Sequence, residues 1–97
     1  MSGQLGAFRN EYLVTTLRFT ESWAGWEQHP QGEEIVCLLS GHVTLIQERD
    51  GSEVRTELTR TGEFAVNPLG TWHTADVHCE SLVLFITAGE GTQTRPR

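Results

Sequence analysis

The chain has 97 residues, a formal net charge of −6 and a hydrophobic share of 37%. This is one domain with a small core, and its acidic balance excludes a face built for nucleic-acid phosphates. All seven basic residues are arginine, which excludes a lysine Schiff base, a lysine general base and a phosphate-loop lysine.

Residues 1–10 read as a loose lead-in, 11–88 as the folded domain and 89–97 as a polar tail expected to fray. From Tyr12 onwards the texture is β. "YLVTTLRF" (12–19) is rich in β-branched and aromatic residues. "EIVCLLS" (34–40) reads as a buried strand broken by Gly41, and "HVTLIQE" (42–48) follows it. Asp50-Gly51 is a strong two-residue hairpin signal, and "EVRTEL" (53–58) returns from it. "EFAV" (63–66), "WHTADVHC" (72–79) and "SLVLFIT" (81–87) complete the series. No stretch reads as a helix of useful length. Short strands with Gly, Pro and Asp-Gly punctuation predict an all-β sandwich or barrel. Val36, Leu38, Phe64, Val66, Leu84 and Ile86 are the expected core. No apolar run is long enough for a signal peptide or a membrane span. The expectation is a cytoplasmic protein with no membrane partner, in which Cys37 and Cys79 are free thiols.

Two glycine-framed segments carry the chemistry. In the first, four residues separate His29 from Glu34, and six separate Glu34 from Gly41. In the second, five residues separate Gly62 from Pro68, Gly70 follows after one more, and His73 after two more. Residues two apart on a strand share a face, so Glu27 and His29 point the same way. Pro30 and Gly32 turn the chain, and Glu34 opens the next strand with its side chain returned to the same mouth. Glu33, of opposite parity, reads as surface charge. His73 comes from a distant strand brought alongside when the barrel closes.

These segments resemble the cupin family. "EQHPQGEEIVCLLSG" is similar to the first cupin motif, His-x-His, three or four residues, Glu, six residues, Gly. "GEFAVNPLGTWH" is similar to the second, Gly, five residues, Pro-x-Gly, two residues, His. The resemblance covers roughly residues 23–86 and implies a small double-stranded β-helix, or jelly-roll, barrel. There are two departures: Glu27 stands where the family has its first histidine, and Val77 where it often has asparagine.

The site expected from motifs and parity is metal-binding, with Glu27, His29, Glu34 and His73 as ligands. Two imidazoles with carboxylates suit a divalent transition metal, Mn(II), Fe(II) or Zn(II), rather than a thiolate centre. Outside the ligand set, Glu27 is a candidate general base. The expected function is that of a small-molecule cupin, a metal-dependent oxygenase or isomerase for a small acid or carbonyl compound. A non-catalytic binding or sensing cupin and a metal-free structural or dimerisation domain are the alternatives. Each of these residues also has a plainer role, as a solvated carboxylate or a loop or strand histidine. Trp23 shares the parity of the ligands and is expected at the pocket, while Trp26 and Trp72 are expected behind it. His42 and His78 match no ligand position and are expected to be structural or exposed. Apolar groups of both parities in "EYLVTTLRF" predict that both faces of that strand are covered. A second subunit in a homodimer is the expected cover, and residues 1–10 folding back within one chain are the alternative.

Overall fold

The protein, described here by a computed structural model, is defined over residues 12–88 and 91–97. The expected lead-in of residues 1–10, and any cover it gives the first strand, lies outside the described residues. The strands in chain order are β1 (Tyr12–Phe19), β2 (Gly25–Gln28), β3 (Glu34–Ser40), β4 (Val43–Arg49), β5 (Ser52–Leu58), β6 (Phe64–Asn67), β7 (His73–Val77), β8 (Ser81–Ala88) and β9 (Gln93–Pro96). No helix occurs among the described residues, so none is long and apolar enough to cross a membrane.

The strands form two antiparallel sheets, ordered β1-β8-β3-β6 and β5-β4-β7-β2-β9. β4 and β5 are joined by a two-residue hairpin in which Asp50 and Gly51 both have positive φ, 53° and 81°. That is the backbone of a type I′ turn, and it explains the Asp-Gly pair. The other neighbours are distant in sequence. β1 lies along β8 with Tyr12 opposite Ala88 and Phe19 opposite Ser81, and β3 sits between β8 and β6.

Alternation along the strands divides each sheet into two faces. The inner faces carry Val36, Leu38, Val43, Leu58, Ala75, Val83 and Phe85, which pack into one buried cluster between the sheets. Val36 and Leu38 are in the core, as expected. Phe64, Val66, Leu84 and Ile86 are not. They have the opposite parity and lie on the outer face of the first sheet, where Phe64 is 61% and Val66 36% exposed. β3 and β8 are apolar on both faces, so alternation in the sequence alone does not say which face is the core.

The C-terminal tail also differs from expectation. Residues 93–96 form β9 and pair with β2, placing Arg95 opposite Trp26. The Arg95 guanidinium lies 4.5 Å from the centre of the Trp72 ring and 5.2 Å from that of Trp26, and it pairs with Glu48. A polar strand with no apolar stripe is held by cation–π and ionic contacts to aromatic residues on the outer face of the second sheet. Trp26 and Trp72 thus lie behind the interior face, as their parity predicted. Cys37 and Cys79 are free.

Candidate metal centre

β2 and the residue just after it bring Glu27 and His29 to the inner face, and Glu27 is directly opposite His73 in the β2–β7 pairing. β3 begins with Glu34, opposite Asn67 of β6 on one side and Thr87 of β8 on the other. One end of the barrel therefore collects side chains from both sheets. The four residues singled out in the sequence meet there. Glu33, one residue earlier, is exposed, as its parity requires.

His73 is fully buried, and His29 and Glu34 are nearly so. The Glu34 carboxylate bridges the imidazoles: Oε2 is 3.2 Å from His29 Nε2 and Oε1 is 3.2 Å from His73 Nε2. Neither contact has the alignment of a hydrogen bond, and both buried Nε2 atoms are without a hydrogen-bond partner among the described residues. A carboxylate oxygen of Glu27 and a ligand nitrogen from each of His29 and His73 lie within 4.8 Å of one another. The rings of His29 and His73 are 5.4 Å apart.

Residues around this group orient it. His73 Nδ1 donates to the Thr71 carbonyl at 3.1 Å, which leaves Nε2 as the nitrogen with a free lone pair. His29 Nδ1 lies 3.2 Å from the Thr92 hydroxyl. Glu34 accepts hydrogen bonds from Asn67 Nδ2 at 3.0 Å and from the Thr87 hydroxyl at 2.8 Å. Gln47 donates in turn to Asn67 Oδ1 at 2.7 Å and to the Val66 carbonyl at 2.8 Å. The sequence reading missed Gln47, Asn67, Thr87 and Thr92. Gln47 carried a signal: it shares the parity of Val43 and Leu45, so it is a polar residue on the inward face of an otherwise apolar strand.

Burial works to raise the Glu34 pKa, but contacts from His29, His73 and Thr87 outweigh it and hold the carboxyl well below the usual carboxylate range. The adjacent Glu34 carboxylate raises the His29 pKa against the opposing effect of burial, and the charge of Glu27 adds to the rise.

Above this group lies a cavity of about 530 Å³. Its walls include Leu13, Leu17 and Phe19 of β1, Trp23, Phe85 of β8 and Thr94 of β9. Among the described residues, no arginine lines it. Trp23 stacks edge-on to His73, with ring centres 6.0 Å apart, and its buried indole N–H has no acceptor among the described residues.

The donors fit a divalent transition metal. Two buried imidazole nitrogens that make no aligned hydrogen bond to a described residue converge with two carboxylates, a donor set that suits a divalent cation. The tautomer of His73 and the hydrogen-bonded carboxylate of Glu34 match the support that metal ligands receive from surrounding groups.

No protein-family model matches the sequence, and no curated protein does; similarity is found among solved structures. The chain is similar to a cupin-2 domain protein from Shewanella frigidimarina, with a TM-score of 0.65 and 21% identity, over 89% of this chain and 71% of that one. It is similar to hydroquinone 1,2-dioxygenase from Sphingomonas sp. TTNP3, solved with 4-hydroxybenzoate bound (TM-score 0.66, 17% identity, 82% of this chain and 60% of that one). A third similar structure is the 3,4-ketoisomerase QdtA from Thermoanaerobacterium thermosaccharolyticum in complex with TDP-4-keto-6-deoxyglucose (TM-score 0.58, 19% identity, 86% of this chain and 59% of that one). The chain thus spans about three-fifths of the length of these two enzymes. At such identities the shared property is the fold, and this chain has the cupin double-stranded β-helix.

Proposed function

We propose that this cupin-fold chain binds one divalent transition metal through Glu27, His29, Glu34 and His73 and uses it on a small uncharged molecule held in the cavity. The observation that carries this reading is the pair of buried, unpartnered Nε2 atoms facing the carboxylates at the base of an apolar cavity. When bound, the metal supplies Lewis-acid polarisation of a ligand oxygen and, if it is iron, redox chemistry. Oxidation or isomerisation of a carbonyl or hydroxyl compound is the reaction class.

The chain's own residues set the substrate class. Leu13, Leu17, Phe19 and Phe85 offer apolar surface suited to a ring or short hydrocarbon. The unpartnered Trp23 N–H would donate to an oxygen of the bound molecule. With Glu27 and Glu34 in the walls and no arginine among the described lining residues, an anion gains nothing from these side chains. This weighs against a nucleotide sugar such as the one in the ketoisomerase complex. It favours a compact phenol or carbonyl compound, nearer in size to the 4-hydroxybenzoate of the dioxygenase complex.

His73→Ala tests the site. The variant should lose stoichiometric Mn(II), Fe(II) or Zn(II) from the interior while its far-ultraviolet dichroism stays that of a β protein. Unchanged interior metal content would remove the site. Oxygen uptake or product formation with a panel of phenols and ketones, with and without metal, separates an enzyme from a binding module.

On the same reading the chain is a homodimer. The outer face of the first sheet presents Val14, Phe64, Val66, Leu84 and Ile86, with the Arg18–Glu80 ion pair at one end. Among the described residues nothing covers this apolar face, and a monomer rarely leaves such a face in water. Four strands at sheet spacing span roughly 20 by 20 Å. That footprint is about 400 Å², half of the ~800 Å² that each partner of a standard-size dimer buries, and the relief of the side chains adds to it. A second copy, packed face to face about a two-fold axis, is the simplest cover.

A further inference from the structure

A second convergence of metal-capable side chains lies outside the barrel, on the outer face of the second sheet. His42 immediately precedes β4 and His78 immediately follows β7. The β4–β7 pairing places Val43 opposite Val77, and the backbone N–H of His78 donates to the His42 carbonyl at 3.0 Å. The ladder thus runs one step further and sets the two imidazoles side by side, with ring centres 4.2 Å apart. Thr44 has the parity of His42, and Glu57 of β5 is directly opposite Thr44. Three strands therefore bring two imidazoles, a carboxylate and a hydroxyl to one spot.

The spot is built rather than incidental. The backbone N–H of His42 donates to the Ser81 hydroxyl at 3.0 Å. Gly41, at φ +103°, packs so tightly on Ser81 that a Cβ there would lie 2.1 Å from its Oγ. The chain is thereby fixed just before His42. Thr44 Oγ1 lies 3.0 and 2.9 Å from the two Glu57 oxygens, so its single proton goes to the carboxylate. His78 Nε2, 2.7 Å from Thr44 Oγ1, must then donate to it. His42 Nε2 donates to Glu57 Oε1 at 2.7 Å. Both Nε2 atoms thus face the carboxylate and its hydroxyl partner, and the ligand atoms of His42, Glu57 and His78 all lie within 4.8 Å of one another.

We propose that His42, Glu57 and His78 form a second metal site, a surface site for Zn(II) that pins the edge strand β5 to β4 and to the end of β7. Two imidazoles and one carboxylate are a ligand set of borderline character, and water completes it on the exposed side. Loading requires each imidazole to move its proton from Nε2 to Nδ1. Among the described residues neither Nδ1 has a hydrogen-bond partner, so that shift breaks no protein contact. The ion takes the place of the two imidazole protons that now face Glu57 and Thr44. Among the described residues β5 ends the second sheet and is paired along one side only, with β4, so it is the strand that gains from a cross-link.

Zn(II) titration of the full chain by calorimetry tests this, with the interior site as internal reference. The expected result is two Zn(II) per chain in the parent. His78→Ala and Glu57→Gln should each lose one equivalent, and His73→Ala should lose the other. If the interior reading fails, the parent binds one Zn(II) that His73→Ala retains and His78→Ala loses, which still supports the surface site. Because His78 and Glu57 are exposed, their variants should keep the fold. Parent stoichiometry and affinity in both His78→Ala and Glu57→Gln would overturn the proposal. A second readout is Co(II)-induced broadening of amide resonances. It should include Thr44, Glu57 and Val77 in the His73→Ala variant and be absent from His73→Ala/His78→Ala. Equal broadening in the two would also overturn it.

Discussion

Glu27 stands at the position where this chain departs from the cupin pattern, and it faces His73 across the β2–β7 pair. A carboxylate there makes the donor set more anionic and harder than one with a third imidazole. Glu27→His should keep the fold and shift preference from Mn(II) towards Cu(II) and Ni(II). Competition among these ions in parent and variant measures the shift, and identical preferences would place Glu27 outside the ligand set. His29 gives a second expectation at this scale. Its pKa is raised above 6.5 by Glu34, so in metal-free protein the charged pair contributes stability that is fully present below 6.5. That contribution is lost as pH rises through the raised value. Glu34, held low, contributes stability present above 4.5 that is lost as pH falls through its depressed value. A bound metal instead requires neutral His29, so its stabilisation grows as the proton leaves. Melting temperature between about pH 6 and about pH 8 should therefore fall with pH in chelator and rise with pH in excess Zn(II). Slopes of one sign in both conditions would contradict the assignment of His29 as a ligand.

Among the elements, β9 was not legible in the sequence. Its residues are polar and lack alternation. What holds it is Arg95 against two tryptophans, Trp26 of β2 and Trp72 just before β7, which no local pattern announces. Arg95→Ala should cost about 1 kcal/mol, in the range of a partly exposed cation–π contact. Tryptophan emission should shift to the red as Trp26 and Trp72 become wetter. An unchanged spectrum and melting temperature would mean that β9 does not hold these rings. The other strands were legible because β-branched runs and turn residues mark them locally, as at Asp50-Gly51. The convergence of Glu27, His29, Glu34 and His73 was legible because parity on a strand fixes which side chains share a face, which chose Glu34 over Glu33. Asn67 and Thr87 escaped because their role depends on strands paired across the sheet, and sequence spacing does not record pairing. Leu84 and Phe64 were misplaced for the related reason that both faces of the first sheet are apolar.

For the whole molecule, that second apolar face is the basis for expecting a dimer. Leu84 lies on a central strand of the sheet, opposite Val14's neighbour Thr16 and opposite Cys37, so a charge there strikes the middle of the face. Leu84→Glu should give a species near 10.9 kDa in sedimentation, where the parent gives twice that mass at micromolar concentration. A parent that sediments near 10.9 kDa at every concentration would rule the dimer out.

The pairing of β1 with β8 also dictates an order of events. Tyr12 finds its partner only when Ala88 exists, so on the ribosome the first strand made is among the last to dock. Until then the cavity lacks the wall that Leu13, Leu17 and Phe19 supply, although Glu27, His29 and Glu34 have already been synthesised. Pairings that span most of the chain close slowly, and barrels of this kind fold over milliseconds to seconds. A nascent chain therefore passes through a stage in which three of the four proposed ligands are present and unwalled. A metal captured at that stage would be chosen by availability, and one captured after β1 docks by the shape of the finished pocket.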